Sequence, residues 1–443
     1  MAKIKLITLK ETIEKDRLEA EFFISVSRMK SNFVIGEKII EFVQYGTSEE
    51  LNEEKEGYPI LRLNEFDGDF ISEPVKFTKR IDKEKFENLK LKAGDVLICR
   101  TNGNPKLVGK SAIVMEDKDF AFASYLFRIR PKKEIINAET LLVFLNSKIG
   151  REEIEKHLMI SNQSNFSPAK FREIKIPLIP QKNQWQIKEL IMKAYKLHER
   201  SKKLYGEANF IFSKEVNPTN YKSKRVLTFN NQYSKLSQSN RFDAEYYQPK
   251  YKKTEELIEK YQEGSTLLSE VIIIRDDNIN PEKNESYKYI ELANVLENGE
   301  ISGFIKENGG KLPSRARRQV FEGDIIISTI EGSLSSCALI TKEYDKALCS
   351  TGFFVINSNS INSETLLIMF KSGLFQDLLK KGCSGTILTA INKDEFNKIR
   401  IPLVKREIQK KIAEKIKEAF RLRKEAKALL EEAKEKVEEV ILN

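Results

Sequence analysis

The sequence has very few of the residues on which most catalytic and metal sites depend. Only two histidines and four cysteines occur among 443 residues. No two cysteines form a Cys-x-x-Cys pair, which argues against a zinc site and is typical of reduced thiols in a cytoplasmic protein. The shortage of histidine argues against His-rich metal sites and histidine acid–base catalysis.

Long apolar runs are also missing. No stretch of 18 apolar residues occurs, so the sequence predicts no membrane-spanning helix. The opening residues, MAKIKLITLKETIEKD, lack the apolar core of a signal peptide. We therefore expect a cytoplasmic protein. The formal net charge of +10 favours an anionic partner, with nucleic acid or a membrane surface as the usual candidates. A soluble protein with a lysine-rich surface is the alternative.

One stretch, GNPKLVGKS (103–111), looks like a phosphate-binding loop. However, five residues separate Gly103 from Gly109 where such a loop has four, and the residues that follow have strand rather than helix character. A base methyltransferase is disfavoured because the chain contains no Pro-Pro and no glycine-rich cofactor loop, and a nuclease because no acidic cluster precedes EIK (173–175). We expect a chain without catalytic residues.

The chain is an internal duplication. Four blocks of the first half recur in the same order in the second half, three of them at offsets of 224 to 225 and one at 229. The pairs are RLEAEFF (17–23) with RFDAEYY (241–247), AGDVLICRT (93–101) with EGDIIISTI (322–330), INAETLLVFLNS (136–147) with INSETLLIMFKS (361–372), and FREIKIPLIP (171–180) with FNKIRIPLVK (396–405). The molecule is therefore two copies of one structural unit.

Each copy predicts the same order of elements. β-branched runs such as DVLICR and DIIIST predict strands, a helix is predicted over 138–158 and over 363–381, and a strand ends at each Ile-Pro. The fold class is α+β, with two pseudo-symmetric α/β domains separated by two long, paired, coiled-coil-like helices. The predicted segments are a first module (1–178), a first long helix (179–212), a linker (213–240), a second module (241–403) and a second long helix (404–443).

The two long helices carry matching heptad patterns. Apolar residues recur at spacings of three and four, with His198 and Arg423 as polar interruptions at the same level of the two patterns. We predict that the helices pair along this seam, antiparallel or crossing, and that His198 is a seam residue rather than a ligand. The seam residues are Ile187, Ile191, Ala194, His198, Ile412, Ile416, Ala419, Arg423 and Leu430.

Two loops of each copy have the composition of nucleic-acid contacts. One, the strand loop, follows the strand that ends at Cys99 or Ser328, and the other, the helix loop, follows the predicted helix. Arg and Lys suit guanine or phosphate, and Asn and Gln suit adenine. In the first copy the candidates are Arg100, Asn102, Asn104, Lys106, Lys110, Asn162, Gln163, Ser164 and Asn165. In the second copy the loop candidates are Thr329, Ser333, Ser384, Thr386, Thr389 and Asn392. The second copy also has a basic segment, KLPSRARRQ (311–319), whose candidates for phosphates or guanine are Lys311, Arg315, Arg317 and Arg318. Ordinary turn formation and surface charge remain the alternatives.

These blocks, in this order and each followed by a heptad helix, resemble the specificity subunit of type I restriction-modification systems over essentially the full length. The first opening block departs from the pattern, because LEAEFF lacks the Asp and the Tyr pair. The resemblance implies two target-recognition domains, each reading one half of a bipartite and asymmetric target in double-stranded DNA. It also implies that the two helices form a spacer and dock two methyltransferase subunits.

Under this resemblance the chain itself binds no cofactor. S-adenosylmethionine, ATP and magnesium are expected in the partner subunits, and whether an ATP-driven restriction subunit joins is left open. A helix from about residue 181 to 210 would span ~45 Å, longer than the ~34 Å between neighbouring major-groove half-sites. The alternatives are a scaffolding protein that uses the helices to oligomerise, an enzyme whose site the sequence does not reveal, and a DNA-recognition subunit of a related defence methyltransferase system outside type I.

Overall fold

A computed structural model describes residues 32–158, 165–217, 221, 224–234, 236, 241–385 and 389–442. The chain divides into two compact units. The first unit comprises Met1–His198 together with Arg423–Asn443, and the second comprises Glu199–Leu422. Each unit therefore combines one module with a part of each long helix. In the described ranges, every helix is too short or too polar to span a bilayer.

The module of the first unit is built from a four-stranded sheet, a three-stranded sheet and two two-stranded sheets, together with helices. Its strands are β1 (Phe33–Ile35), β2 (Ile40–Tyr45), β3 (Tyr58–Leu61), β4 (Phe66–Asp67), β5 (Phe70–Ile71), β6 (Lys76–Thr78), β7 (Val96–Cys99), β8 (Ser111–Ile113), β9 (Ala121–Phe122), β10 (Leu126–Pro131) and β11 (Lys175–Pro177). Its helices are α1 (Gly36–Ile39), α2 (Lys83–Leu89), α3 (Ala138–Asn146), α4 (Lys148–Lys156) and α5 (Pro168–Glu173), and the long helix α6 (Gln181–Val216) follows. The main sheet has the order β2-β10-β7-β8.

The central strand β7 explains why the sequence VLIC is apolar at every position. Successive side chains of a strand point to opposite faces. Val96 and Ile98 lie in one apolar core with α3, whereas Leu97 and Cys99 lie in a second core with β3 and β9. All four residues are fully buried. A strand buried on both faces has no solvent side and reads as a continuous apolar run.

The second unit repeats this topology. Its strands are β12 (Ser265–Leu267), β13 (Ile273–Arg275), β14 (Ser286–Ile290), β15 (Ile305–Asn308), β16 (Ala316–Gln319), β17 (Ile325–Ser328), β18 (Cys337–Leu339), β19 (Leu348–Ser350), β20 (Phe353–Asn357), β21 (Cys383–Ser384), β22 (Ala390–Ile391) and β23 (Arg400–Pro402). Its helices are α7 (Pro249–Glu259), α8 (Leu268–Val271), α9 (Ser363–Lys371), α10 (Gly373–Gly382) and α11 (Lys393–Asn397), and the long helix α12 (Arg406–Leu442) follows. The sheet order β13-β20-β17-β18 matches that of the first unit, as expected for a duplication.

The helices predicted over 138–158 and 363–381 are each two helices, so this prediction was wrong in detail. The breaks fall at Ser147 and Ser372, whose backbones are extended, with ψ of 162° and 147°. In the first unit the Ser147 hydroxyl accepts a hydrogen bond from the Gly150 N–H, which caps the new helix. The chain therefore turns between α3 and α4, and between α9 and α10, at equivalent serines.

The long helices contact each other along the predicted seam within each unit. In the first unit, Ile187 and Ile191 share a core with Ala433 and Val437. In the second, the Ser201 hydroxyl donates to the Ala419 carbonyl at 2.8 Å and Lys415 pairs with Glu207, so this stretch runs antiparallel. Helix α6 ends at Val216, four residues beyond the predicted end, because Phe212 and Val216 are themselves core residues.

The helix seam departs from the predicted heptad pattern at the level of His198 and Arg423. At this level Leu422 is buried, whereas Arg423 is only half-buried. His198 is buried, and its Nε2 lies 2.9 Å from an Asp67 carboxylate oxygen. The other seam candidates Ile412, Ile416, Ala194 and Ala419 are buried, and Leu430 is half-buried against the core of the first unit.

A buried glutamine near the start of each long helix forms hydrogen bonds with the preceding module. In the first unit the Gln184 Oε1 accepts from the Asn137 N–H at 2.8 Å, and its Nε2 donates to the carbonyls of Ile135 and Ile179, both at 2.9 Å. In the second unit Gln409 makes the same set of contacts around Asn362. Because each side chain satisfies three backbone groups, its removal leaves several buried polar groups unpaired.

Candidate nucleic-acid interface

In both units the strand loop begins where the central strand leaves the sheet. The Arg100 N–H donates to the Tyr125 carbonyl at 2.8 Å, just before β10. In the second unit, the Thr329 N–H donates to the Gly352 carbonyl at 2.9 Å, just before β20. These matching bonds make Arg100 and Thr329 structural equivalents, in agreement with their sequence offset.

The two loops predicted from sequence meet in each unit. In the first, Thr101 forms an antiparallel bridge with Asn165, and the Phe166 N–H donates to the Arg100 carbonyl at 2.8 Å. In the second, Ile330 forms the corresponding bridge with Ala390. The strand loop therefore meets the described end of the helix loop in each unit, although the two are about 60 residues apart in the sequence.

Side chains of the first strand loop stabilise the loop itself. The Asn102 Oδ1 accepts from the Asn104 N–H at 2.8 Å, and the Asn104 Oδ1 accepts from the Lys106 N–H at 3.1 Å. The second bond caps a short 3-10 turn, Pro105–Leu107. Asn104 and Lys106 are exposed, and Asn102 and Lys110 are half-buried. The two asparagine oxygens serve the loop conformation, so a DNA contact would use their amide nitrogens.

A side chain of the following helix holds each strand loop. The Arg151 guanidinium, on α4, donates to the carbonyl of Val108 at 2.7 Å and to that of Lys106 at 3.2 Å. The equivalent residue on α10, Gln376, donates to the Leu334 carbonyl at 3.3 Å. Burial lowers the pKa of Arg151, in keeping with a guanidinium packed beneath the loop. Sequence reasoning missed both residues.

The Arg100 guanidinium lies over an aromatic ring that the sequence did not point to. Its central carbon is 5.2 Å from the centre of the Tyr45 ring, at the end of β2. Strands β2 and β7 both flank β10, so Tyr45 and Arg100 lie at the same end of the sheet. A cation–π contact of this kind restricts the position of a guanidinium.

Helix α4 also carries a buried acid that ties it to β11. The Glu153 carboxylate accepts from the Lys175 N–H at 3.1 Å and pairs with Lys156 at 3.0 Å. Burial by itself would raise the pKa of Glu153, but hydrogen bonding to His157 and the contacts with Lys156 and Lys175 lower it to about 2. This carboxylate is therefore ionised at neutral pH and stabilises the end of α4 that leads into the helix loop.

The candidate hydroxyls of the second unit make hydrogen bonds within their loops. The Thr329 hydroxyl donates to the Gly352 carbonyl at 3.0 Å, and the Ser333 and Ser328 hydroxyls are 2.8 Å apart. The Thr389 hydroxyl donates to the Gly385 carbonyl at 3.3 Å. Thr329, Ser333 and Thr389 are each half-buried. The loops of this unit thus present mainly small, hydroxyl-bearing side chains.

Ser384 and Asn392 flank this region, and both are exposed. Ser384 pairs with Ala390 in the β21–β22 ladder. The Asn392 Oδ1 accepts from the Glu395 N–H at 2.9 Å and is the N-cap of α11. Asn392 therefore has a structural role whether or not its amide nitrogen contacts DNA.

The basic segment of the second unit reaches the same loops through the backbone. The Thr351 N–H donates to the Arg315 carbonyl at 2.9 Å, and Gly352 is the acceptor for Thr329. Lys311 and Arg315 are exposed. Arg317 donates to the Ser314 carbonyl at 2.8 Å and to Asn280, and Arg318 donates to the Phe353 carbonyl. Within this segment Lys311 and Arg315 are thus the side chains best placed for a phosphate.

Part of the candidate set lies outside the described residues. This applies to Asn162, Gln163, Ser164 and Thr386, and to the first opening block (17–23). The second opening block is described: Arg241 pairs with Asp243, donates to the Cys383 carbonyl at 2.7 Å and lies 4.6 Å from the Tyr246 ring centre. It therefore supports the strand from which the helix loop of the second unit emerges.

In the ranges that the structure describes, no three His, Cys, Asp or Glu side chains are grouped so that they could hold a metal ion. What the surface offers is arginine and lysine, amides and hydroxyls on loops that a rigid sheet positions. Those groups form hydrogen bonds with base edges and ion pairs with phosphates.

Comparison with known proteins gives a consistent result. A family model described as the type I restriction modification DNA specificity domain matches residues 39–209 and again 250–435. The protein named as the specificity subunit of type I restriction enzyme MjaX, from Methanocaldococcus jannaschii, is 23% identical over 416 residues, 91% of each chain. The specificity subunit of type I restriction enzyme EcoKI, from Escherichia coli K12, is 29% identical over 154 residues, 34% of this chain and 32% of that protein. A solved S subunit from M. genitalium aligns over 95% of this chain and 98% of its own with 13% identity and a TM-score of 0.42.

Proposed function

Since the chain belongs to the family of type I restriction-modification DNA specificity domains, with two matches that together span most of its length, we propose that it selects the DNA target of a type I complex. In this proposal it carries no catalytic residues. The methyltransferase subunits supply S-adenosylmethionine, and a restriction subunit, where present, supplies ATP-driven cleavage.

The observation that carries the proposal is the repeated meeting of strand loop and helix loop. In both units the two loops are bridged at the end of the central strand, by Thr101 with Asn165 and by Ile330 with Ala390. The framework is the same while the side chains on it differ. Such an arrangement suits readout of two different sequences by one type of module, because base identity is read by side chains and not by the backbone.

We propose accordingly that each unit reads one half of a bipartite, asymmetric site in double-stranded DNA. The first unit offers Arg100, Asn102, Lys106 and Lys110, which suit bases and phosphates. The second offers hydroxyls on its loops and the basic residues Lys311 and Arg315. Two methyltransferase subunits dock on the complex, and the two long helices are the elements we propose for that contact.

The test is methylome mapping of a host that carries this gene and its methyltransferase partner, with the same host lacking this gene as the control. We expect methylation at one asymmetric motif made of two specified parts and an unspecified gap. Loss of the motif in the control assigns target selection to this chain. A palindromic motif, or the same motif without this gene, would refute the proposal.

Binding measurements separate this function from that of a scaffold. The full chain with its methyltransferase subunits should bind duplex DNA with an affinity that falls steeply as salt rises, because phosphate contacts release counterions. A scaffold that uses the helices to oligomerise predicts no such binding.

A further inference from the structure

The first unit contains a rigidly held arginine at the meeting point of its two loops. Arg100 is half-buried, and its guanidinium lies over the ring of Tyr45, a residue that remains 44% exposed. In the part of the chain that the structure describes, no acidic side chain pairs with Arg100, and its Nε is buried without a hydrogen-bond partner. A guanidinium in contact with a ring has less freedom than one surrounded by water.

Two buried polar atoms without hydrogen-bond partners lie close together at this point. Among the described residues, both the Nε of Arg100 and the Oδ1 of Asn165 are buried without a hydrogen-bond partner. The two residues lie side by side, because Asn165 is bridged to Thr101 and Phe166 donates to the Arg100 carbonyl. Buried polar atoms are nearly always paired, so an unpaired cluster on a binding surface indicates where a ligand or ordered water completes the bonding.

Resting on the function proposed above, we infer that Arg100 reads a guanine in the half-site of the first unit, with Tyr45 as its positioning residue. The guanidinium fork matches the O6 and N7 acceptors that guanine presents in the major groove. Phosphates are contacted well by exposed, flexible side chains, and this surface already has Lys106 for that purpose. A guanidinium fork that contacts an aromatic ring where two loops meet suits a directional contact instead.

The second unit has neither an arginine nor an amide side chain at the positions equivalent to Arg100 and Asn165. Thr329 corresponds to Arg100 through the matching backbone bond, and Ala390 corresponds to Asn165 through the matching bridge. Neither residue provides a fork or an amide. The guanine requirement that we assign to Arg100 therefore belongs to one half-site only, and the other half-site is an internal control in every experiment.

The test uses the full chain with its methyltransferase subunits, selecting duplexes from a random-sequence pool. Arg100→Lys keeps the charge and removes the fork. The preference for guanine at one position of one half-site should fall about 5- to 150-fold, the range expected for a bidentate base contact. The other half-site should keep its motif. Tyr45→Ala should weaken the same preference while Tyr45→Phe, which keeps the ring, preserves it.

Three results would overturn the inference. One is an unchanged motif in Arg100→Lys. Another is that Arg100→Ala lowers the affinity for all sequences equally and makes its salt dependence shallower, while Arg100→Lys restores the wild-type affinity. That combination would identify a phosphate contact. The last is a guanine preference in Tyr45→Ala equal to that of the wild type. Retention of the second half-site shows that a variant is folded and that the proposed function holds. A wild-type complex that selects no sequence would refute the proposed function instead.

Discussion

The contact between Arg151 and the first strand loop allows a quantitative prediction. Arg151→Met removes the donor to the carbonyls of Lys106 and Val108 while keeping an unbranched apolar stem. Val108 is fully buried, so its carbonyl loses a partner that water does not replace, at a cost of about 1–3 kcal/mol. Lys106 is exposed, and its carbonyl can be hydrated. The Arg151 donor is charged, so losing its hydrogen bonds adds to this free-energy cost. The guanidinium is also partly desolvated in the folded protein, so removing its charge offsets part of the cost.

We therefore expect a net loss of about 1–3 kcal/mol confined to the loop. Amide hydrogen exchange measures this directly, because the Gly109 N–H donates to the Cys99 carbonyl at 2.8 Å and reports on loop opening. Its exchange should accelerate about 5- to 150-fold in Arg151→Met, and so should that of the Cys99 N–H, which donates to the Lys110 carbonyl of the loop. The amides of Val96, Leu97 and Ile98 in β7 should be unchanged. The sequence preference of the first half-site should weaken in the same variant.

The matched control is Gln376→Met in the second unit. Gln376 contacts its loop through a neutral donor at 3.3 Å from the Leu334 carbonyl, and it also donates to the Phe370 carbonyl of α9 at 2.6 Å. The effect on the loop should therefore be smaller and limited to that unit. Wild-type exchange at Gly109 in Arg151→Met would refute the reasoning. Equal acceleration at the β7 amides other than that of Cys99 would also refute it, because Arg151 would then support the whole unit and not the loop.

Three further predictions concern the supports of the candidate interface. The pKa of Glu153 is lowered in the folded protein to about 2 from its usual value of 4.5, so this carboxylate contributes about 3 kcal/mol above about pH 4.5 and loses that contribution as pH falls towards 2. Glu153→Gln should lower the urea midpoint of the first unit at neutral pH and flatten its acid dependence. Gln184→Leu should cost the first unit about 3 kcal/mol or more in urea unfolding, and Gln409→Leu should cost the second unit a similar amount. Asn392→Ala should cost about 1 kcal/mol as a lost cap, whereas Asn392→Asp should keep stability; a changed second half-site in Asn392→Asp would assign a DNA contact to the amide nitrogen.

Each of these predictions has a contrary outcome. An acid dependence in Glu153→Gln equal to that of the wild type would show that Glu153 is not ionised in a paired state. If Gln184→Leu unfolds like the wild type, the module and helix α6 are held by apolar contacts alone. Equal stability of Asn392→Ala and the wild type would remove the capping role.

Much of the architecture could be predicted from sequence because duplication shows every signal twice. The runs around Ile98 and Ile326 are β-branched and fully apolar, and both are central strands. The breaks at Ser147 and Ser372 were missed because apolar residues continue on both sides of each serine. The signal that could have located them is a serine followed closely by glycine, Gly150 and Gly373, inside an apolar helix pattern.

The candidate interface was predicted only in part, because some of its residues come from parts of the sequence far from the two loops. Composition pointed to the loops that contain Arg100 and Asn165, and the structure places those loops side by side. Tyr45 and Arg151 were missed because their relation to the loop depends on sheet order and on the turn between α3 and α4. Neither residue is unusual in its own sequence context. Whether the candidate residues contact DNA stays a prediction.

The first unit is formed from two segments that are far apart in the sequence, and this affects how it folds during synthesis. Its core needs Ala433 and Val437 beside Ile187 and Ile191, although more than 200 residues separate the two sets. Chains emerge from the ribosome at about 5–20 residues per second. The first unit, although most of it is synthesised first, therefore keeps the apolar seam of α6 exposed until the C-terminal part of α12 has been translated. The unit encoded in the middle of the gene can close earlier.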